Sequence, residues 1–296
     1  MSISAPQHKL IIGTISYGAL TAPYLPFFKQ SLKEQSFQDF GLIIHDNAEK
    51  NLGFGKAYNR MIEQARAAGA EYFFIVNPDL ILEPDVLEKL LTVLDSEPEL
   101  SIVMPKLRVW DFEHKNKTSI IDSCGLGLKP CLNFFDYGQG QIDTGQYDAQ
   151  EIIGPSGAAA IFRLSDFERI EENGQFFDEH FFMYKEDCDL AYRLYLKGMK
   201  SKLVPDAIGY HDRSSAAGTL IKRFFNRFKR SKNVNRWAFT NQHFLFIKYW
   251  SKQSFSSKIL AIIRMKIMFI QALIFEQYLL ASYSTIVKEA KTLKRY

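Results

Sequence analysis

A mostly parallel α/β sheet flanked by helices, followed by a basic helical extension, is the architecture this sequence predicts. Three observations carry it. Strand-like and helix-like patterns alternate through the first hundred residues, polar residues punctuate the end of each apolar run, and the charge balance reverses near residue 213. With 296 residues, 47% of them hydrophobic and including 25 Phe and 14 Tyr, the chain can bury a sizeable core. That composition excludes intrinsic disorder, collagen-like repeats and a disulfide scaffold.

The elements follow in order. Residues 9–15 (KLIIGTI) form a short apolar run of the kind a buried parallel strand shows, and residues 23–35 read as a helix. Residues 40–45 (FGLIIH) predict a second strand, stopped by Asp46 and Asn47. A glycine-bearing loop, Asn51-Leu52-Gly53-Phe54-Gly55, leads into a helical pattern over 56–68. Residues 72–76 (YFFIV) predict a third strand, halted by Asn77-Pro78-Asp79. Pro84 then suits the first turn of a helix running to about Asp95, and residues 101–104 predict a fourth strand. Strands and helices in this order signal a parallel, right-handed sheet, whose ligands bind beyond the carboxyl ends of the strands. Thr14, Ser16, Asp46, Asn47, Asn77 and Asp79 fall at those ends. Residues 110–150 read as loops with short antiparallel strands, 151–163 as containing a Gly/Ala-rich strand, and 186–197 as a helix closed by Gly198. Residues 201–204 read as a last short strand ahead of Pro205. The domain boundary is placed after residue 216, giving an α/β domain at 1–216 and a helical extension at 217–296.

Charge divides the chain in the same way. Residues 1–212 hold 20 Lys/Arg and 31 Asp/Glu, whereas residues 213–296 hold 17 and 2. Residues 213–275 contain 13 basic residues and no acidic one, which suits an anionic surface better than an ordinary solvated face. No secretory signal is legible at the start. The most apolar stretch of the extension, 259–282, is interrupted by Arg264, Lys266, Gln271 and Glu276 and is unsuited to span a bilayer, which takes ~20 apolar residues. Cys124, Cys131 and Cys188 lack metal-ligand spacing and suit a reducing cytosol.

Four clusters could carry chemistry. Asp79, just past a buried strand, is placed to hold a divalent cation that bridges phosphates, or else to cap the turn ahead of Pro84. Glu186, Asp187 and Asp189 crowd the start of a helix behind an aromatic run. A carboxylate there can serve as a general base, with cation binding or helix capping as the other readings. The glycines between Asn51 and Asn59 permit close backbone approach to a phosphate, or simply a tight turn. His211, beside Asp212, is either structural or a ligand. The sequence carries no GxSxG, HExxH, CxxC, Walker loop or GxGxxG fingerprint.

Taken together, the pieces resemble the inverting family 2 glycosyltransferases of the GT-A fold, and more narrowly the rhamnosyltransferase-like branch of bacterial surface-polysaccharide synthesis. The resemblance runs over about residues 9–215, from Thr14-Ile15-Ser16-Tyr17 and Asp46-Asn47 through the Asn51–Asn59 loop and Asn77-Pro78-Asp79 at the DxD position. It continues with Gly145-Gln146-Tyr147-Asp148, Gly157-Ala158-Ala159 and Arg163. It closes with Phe177-Asp178-Glu179, the run from Phe181 to Leu190, Arg193, Gly198, Pro205 and His211. What it implies is a GT-A domain in which Thr14, Ser16, Tyr17 and Asp46 contact the nucleoside of a sugar donor. Asn51, Gly53, Gly55 and Asn59 would line its pocket, with Asn77, Ser156 and Gly157 also at the donor. Asp79, with His211, would hold Mg²⁺ or Mn²⁺ against the diphosphate, and Asp187 would be the general base, supported by Glu186 and Asp189. Asn77 replaces the first aspartate of DxD, and Thr14-Ile15-Ser16-Tyr17 stands where many relatives have a Thr-Tyr-Asn pattern.

The implied activity is transfer of a sugar, foremost L-rhamnose from dTDP-L-rhamnose, to a glycan or polyprenyl-diphosphate-linked acceptor in O-antigen- or capsule-type biosynthesis. The alternatives are a UDP-linked donor (galactofuranose, hexose or N-acetylhexosamine) and a non-catalytic nucleotide-sugar-binding scaffold. In the extension, residues 220–236 interleave Phe224, Phe225 and Phe228 with Lys222, Arg223, Arg227, Lys229 and Arg230. That pattern suits a helix lying in an anionic interface, placing a cytoplasmic enzyme peripherally on the inner face of the membrane. Packing on the body or in a homodimer are its other readings. No nucleic-acid-binding motif is present, so nucleic acid is not an expected partner.

Overall fold

The computed structural model describes residues 8–212 and 230–296. Its centre is an eight-stranded sheet built from β1 (Leu10–Ser16), β2 (Phe40–Asp46), β3 (Tyr72–Val76), β4 (Leu80–Leu82), β5 (Leu100–Asp111), β6 (Asn116–Ser123), β9 (Ala159–Arg163) and β10 (Lys200–His211). The strand order is β2-β1-β3-β9-β5-β10-β4, with β6 pairing β5. The pairs β1/β2, β1/β3 and β5/β10 are parallel, while β9, β4 and β6 run against their neighbours. Two further strands, β7 (Leu126–Lys129) and β8 (Asn133–Asp136), form a separate antiparallel pair. The α/β fold with a mostly parallel central sheet flanked by helices is therefore as the sequence reads.

Period-two alternation builds the two faces of this sheet. Ile11, Ile15, Phe73 and Ile75 enter a core on one face, packed by α2 (Phe54–Ala67) through Tyr58, Met61 and Ile62. Leu10, Ile12, Tyr72 and Phe74 enter the core on the other, packed by α1 (Leu25–Lys33) and by α3 (Val86–Ser96) through Leu87, Leu90 and Leu94. The short helix α4 (Phe167–Ile170) follows β9.

The last strand corrects the sequence reading. β10 does not stop at Pro205 but continues to His211, with a register shift between Val204 and Ile208. Proline lacks a ladder donor, and a bulge lets the strand pass it and resume pairing with β5. The three-residue strand β4 was too short for periodicity to reveal.

Helix α5 (Glu186–Leu196) joins the two halves of the molecule. Leu190 and Leu194 face the sheet core. Cys188 and Tyr192 enter a third core with Phe244, Leu245 and Tyr249 from α6 (Lys232–Lys248) and the residue after it. Ala261 and Ala272 of α7 (Phe255–Ile274) and Ile286 of α8 (Ser282–Glu289) complete that core. The carboxyl-terminal helices thus pack on the α/β body through α5. Cys124, Cys131 and Cys188 are all free and buried. Most of the basic-aromatic stretch 220–236 lies outside the described residues.

Candidate active site

The carboxyl ends of the parallel strands gather the polar residues. Ser16 of β1 stands in register with Asp46 of β2, and β3 ends directly before Asn77-Pro78-Asp79. Because β10 runs past its bulge to pair antiparallel with β4, its last residue, His211, stands opposite Leu80. That brings the imidazole to Asp79: His211 Nε2 lies 3.3 Å from Asp79 Oδ1. On the other side, His211 Nδ1 lies 2.8 Å from Oδ2 of the buried Asp122 at the end of β6. Burial opposes charge on this imidazole, but Asp79 and Asp122 outweigh it and raise its pKa to about 10. His211 is buried while the Asp79 carboxylate keeps 29% of its surface open, so the cluster presents an oxygen outward.

The turn before β9 links this cluster to α5. The Asn77 amide donates to Ala158 O at 2.9 Å, and the next residue back, Gly157, donates its amide to Asp187 Oδ2 at 3.2 Å. A Cβ at Gly157 would lie 3.2 Å from the Asp187 Cβ, so glycine permits the approach. Asp187 Oδ1 accepts from the Cys188 amide at 2.7 Å, and its carboxylate is half-buried. Ser156, next in the chain to Gly157, is buried, and among the described residues its hydroxyl has no hydrogen-bond partner. Glu186 is also buried, and its Oε2 has no partner among the described residues. Burial and the neighbouring Asp187 hold its carboxyl well above the usual range. Tyr17, after β1, feels both Glu186 and Tyr184, and burial raises its hydroxyl to about 12. Gly157 and Asp187 are thus in direct contact, with Ser156 and Glu186 their chain neighbours, Tyr17 near Glu186, and Asn77 bonded to the same turn. Thr14 is wholly buried, with an unpartnered hydroxyl, and Asp46 is exposed, accepting from the Ala48 amide.

The glycine loop packs on the segment leading into α5. Gly53 has φ +79°, and a Cβ there would meet the Phe182 carbonyl oxygen at 2.1 Å. The Gly53 amide donates to Asn51 Oδ1 at 2.8 Å, and the Phe54 amide donates to Phe182 O at 2.9 Å. A Cβ at Gly55 would lie 3.0 Å from the Phe177 Cβ. Asn59 is buried in α2, donating to Phe177 O at 2.9 Å and accepting from the Phe177 amide at 2.8 Å. Gly53, Gly55 and Asn59 position residues 177–182 through backbone contacts.

Asp189 lies 200° round the helix from Asp187 and faces a different partner set. It joins Glu172 and Asp178 in a buried group whose carboxylate oxygens lie within 4.8 Å of one another. Such a group has metal-binding geometry, but Lys248 Nζ already fills it, at 2.5 Å from Glu172, 2.6 Å from Asp178 and 2.9 Å from Asp189. Arg193 lies fully buried beside it, 3.4 Å from Asp189, and donates to Ile170 O and Phe176 O. The Tyr249 hydroxyl donates to Asp189 Oδ1 at 2.7 Å. From the same helix α6, Asn241 Nδ2 donates to Met183 O at 2.9 Å and to Tyr184 O at 2.6 Å. Those carbonyls flank a strained entry to α5: Tyr184 and Lys185 both adopt left-handed φ, +70° and +68°.

Sequence reasoning missed Asp122, Asn241 and Lys248. Lys248 ends the run Phe244-Leu245-Phe246-Ile247, and a charge closing an apolar run was the available signal for it. Asp122 sits in the mostly polar strand Asn116–Ser123, where nothing local marks it.

Comparison with known proteins identifies the family. Residues 73–286 match the family model described as "Glycosyl transferase family group 2". The chain is 28% identical over 185 residues to N-acetylglucosaminyl-diphospho-decaprenol L-rhamnosyltransferase of Mycobacterium tuberculosis, covering 57% of this chain and 58% of that protein. It is 28% identical over 175 residues to rhamnosyltransferase WbbL of Escherichia coli K12, covering 55% and 63%. The matched region thus spans less than two thirds of either relative. Among solved structures, GalNAc-T7 with UDP, GalNAc and Mn²⁺ superposes with a TM-score of 0.52 at 10% identity, over 70% of this chain and 44% of that one, a likeness of fold. The strand topology and the family match over most of the chain lead to one conclusion: this chain belongs to the family 2 glycosyltransferases, in the GT-A fold.

Proposed function

We propose that the enzyme transfers L-rhamnose from dTDP-L-rhamnose to a hydroxyl of a polyprenyl-diphosphate-linked glycan, with inversion at the anomeric carbon, in surface-polysaccharide synthesis. The observation that carries the reading is the turn at Ser156–Ala158, hydrogen-bonded to Asp187 on one side and to Asn77 on the other. It sets a half-buried carboxylate beside the carboxyl ends of the strands, where an α/β sheet binds its ligand. Both bacterial relatives are named as rhamnosyltransferases, and the mycobacterial name describes a diphospho-decaprenol acceptor, which favours rhamnose and a lipid-linked acceptor at the inner face of the membrane.

In this mechanism Asp187 accepts the proton of the acceptor hydroxyl as its oxygen attacks the anomeric carbon. The bond from that carbon to the nucleoside diphosphate breaks on the opposite face, and configuration inverts. Gly157 and the Cys188 amide orient the Asp187 carboxylate. Burial and the Asp187 charge push the Glu186 carboxyl toward its protonated form, which limits repulsion against Asp187. Ser16, Tyr17 and Asp46 face the nucleoside, with the Asn51–Asn59 loop supporting that side, and the unpartnered Ser156 hydroxyl is available to the sugar.

Asp79 and His211 would hold a Mg²⁺ or Mn²⁺ ion once the imidazole gives up the Nε2 proton that its two carboxylate neighbours stabilise. Asp79 supplies a partly open carboxylate, and Asp122 on Nδ1 leaves His211 Nε2 directed at it, the second-shell pattern of metal-bound histidines. Bound there, the ion would neutralise charge on the departing diphosphate. A thermal-shift panel of dTDP, UDP and GDP with Mg²⁺, Mn²⁺ or EDTA tests the reading. A ligand at 100 times its Kd stabilises by about 2.7 kcal/mol. The expected result is a metal-dependent shift larger with dTDP than with UDP. A shift with UDP alone would discard rhamnose, and no shift with any nucleotide would discard the site.

A further inference from the structure

Helix α7 carries an apolar face that nothing in the described chain covers. Its buried side is narrow, with Ser257, Ala261 and Ala272 against the body. Opposite them, Ile259, Ile263, Ile267, Ile270 and Ile274 recur at spacings of four, four, three and four, one stripe along a helix about 30 Å long. All five are exposed, Ile267 by 58% and Ile274 by 60%. Ile262, Phe269 and Leu273, also exposed, widen the stripe to most of the outer surface. Exposed apolar area that is continuous rather than scattered marks a docking surface.

The charges on this helix choose the occupant. Lys258, Arg264 and Lys266 are its only charged residues, and all are basic. Arg264 is turned to the body, within 3.3 Å of Gln242 Oε1. Lys266 is exposed within the apolar face, and Lys258 lies at its border, 5.8 Å from the half-exposed Trp250 ring. A second copy docked through this face would bring lysine against lysine with no acid on either helix to offset them. An anionic bilayer surface meets both features, taking the isoleucines below its headgroups and leaving the lysines among its phosphates. Among the described residues no helix is long and apolar enough to cross a membrane, so α7 would lie in the plane.

We infer that α7 is an in-plane docking helix for an anionic lipid surface. The site is distinct from the proposed catalytic residues, and its test needs neither donor nor acceptor. Full-length protein is floated with vesicles of phosphatidylglycerol and phosphatidylcholine in equal parts, or of phosphatidylcholine alone. The expected result is at least tenfold stronger binding to the anionic vesicles. The triple variant Ile263→Asp, Ile267→Asp, Ile270→Asp should lose at least tenfold of that binding with an unchanged melting curve, and Lys258→Glu with Lys266→Glu should erase the lipid preference. An Ile267→Cys protein carrying an environment-sensitive fluorophore should brighten on anionic vesicles. Flotation of the triple variant at wild-type level, or no change of the fluorophore, overturns the inference. So does a lipid-free dimer that the triple variant dissolves, which would assign the face to a second copy.

Discussion

Two buried charge clusters sit within this protein and have opposite characters. In one, Glu172, Asp178 and Asp189 close around Lys248, so three carboxylates share an ammonium supplied by the chain. In the other, Asp122 and His211 are buried, but Asp79 keeps an open edge at the ends of the strands. The first cluster has its counter-charge built in and nothing to gain from a ligand. The second has one imidazole for two carboxylates and leaves part of Asp79 open to solvent. Acidic residues brought together in space therefore identify a working site only after the chain's own cations have been counted. By that criterion the group with the better metal-like geometry is the structural one.

The contrast can be broken from either side. The largest effect is expected at Asp187: Asp187→Asn should lower kcat by about 10³-fold, the scale of general-base catalysis, while the thermal shift with dTDP persists. Near-wild-type turnover would remove Asp187 from the mechanism. In the closed cluster, Lys248→Met removes the cation shared by three buried carboxylates, leaving Arg193 and His180 near them, and should cost about 3–5 kcal/mol in denaturant unfolding. A loss below about 1 kcal/mol would mean that the cluster does not hold α5. Asp122→Asn removes the carboxylate held against His211 Nδ1. It should weaken metal-dependent activity by about 10–100-fold and also lower the unfolding midpoint, because a buried charged imidazole loses a partner.

The smallest effects are those of pH, and the two carboxyls beside α5 should respond oppositely. Asp178 is held far below the ordinary carboxylate range: burial opposes this, but His180 and Lys248 prevail. Its stabilisation is complete above the unfolded pKa of about 4 and is lost as pH falls below it. Glu186, held high by burial, behaves in reverse: any stability tied to its neutral form is present below pH of about 4 and is lost as pH rises toward its folded pKa. Glu186→Gln should accordingly raise the melting temperature at pH 8 more than at pH 4. An equal change at both would show that Glu186 titrates normally.

Much of this was legible in the chain. β1, β2 and β3 announce themselves as apolar runs, and their polar endings share one edge of the sheet, because strand polarity fixes which side those residues share. The extent of β10 was not legible: Pro205 ends a run in any local reading, and only pairing with β5 carries the strand to His211. Asp122, which orients His211, comes from a strand 89 residues away, a separation no motif spacing encodes. The same holds for Asn241 and Lys248, which brace α5 from a helix that sequence alone would set apart as an extension.

The strand order also has a consequence for synthesis. β9 lies between β3 and β5, although it follows both in the chain. A nascent chain that has emerged only as far as β8 holds the central strands β3 and β5 with their facing edges open, each rich in apolar residues buried in the finished sheet. Unpaired apolar edges invite pairing with other chains. Residues 159–163 close the gap between β3 and β5, and β10, later still in the chain, covers the other edge of β5, so the central sheet is completed only by its last strands.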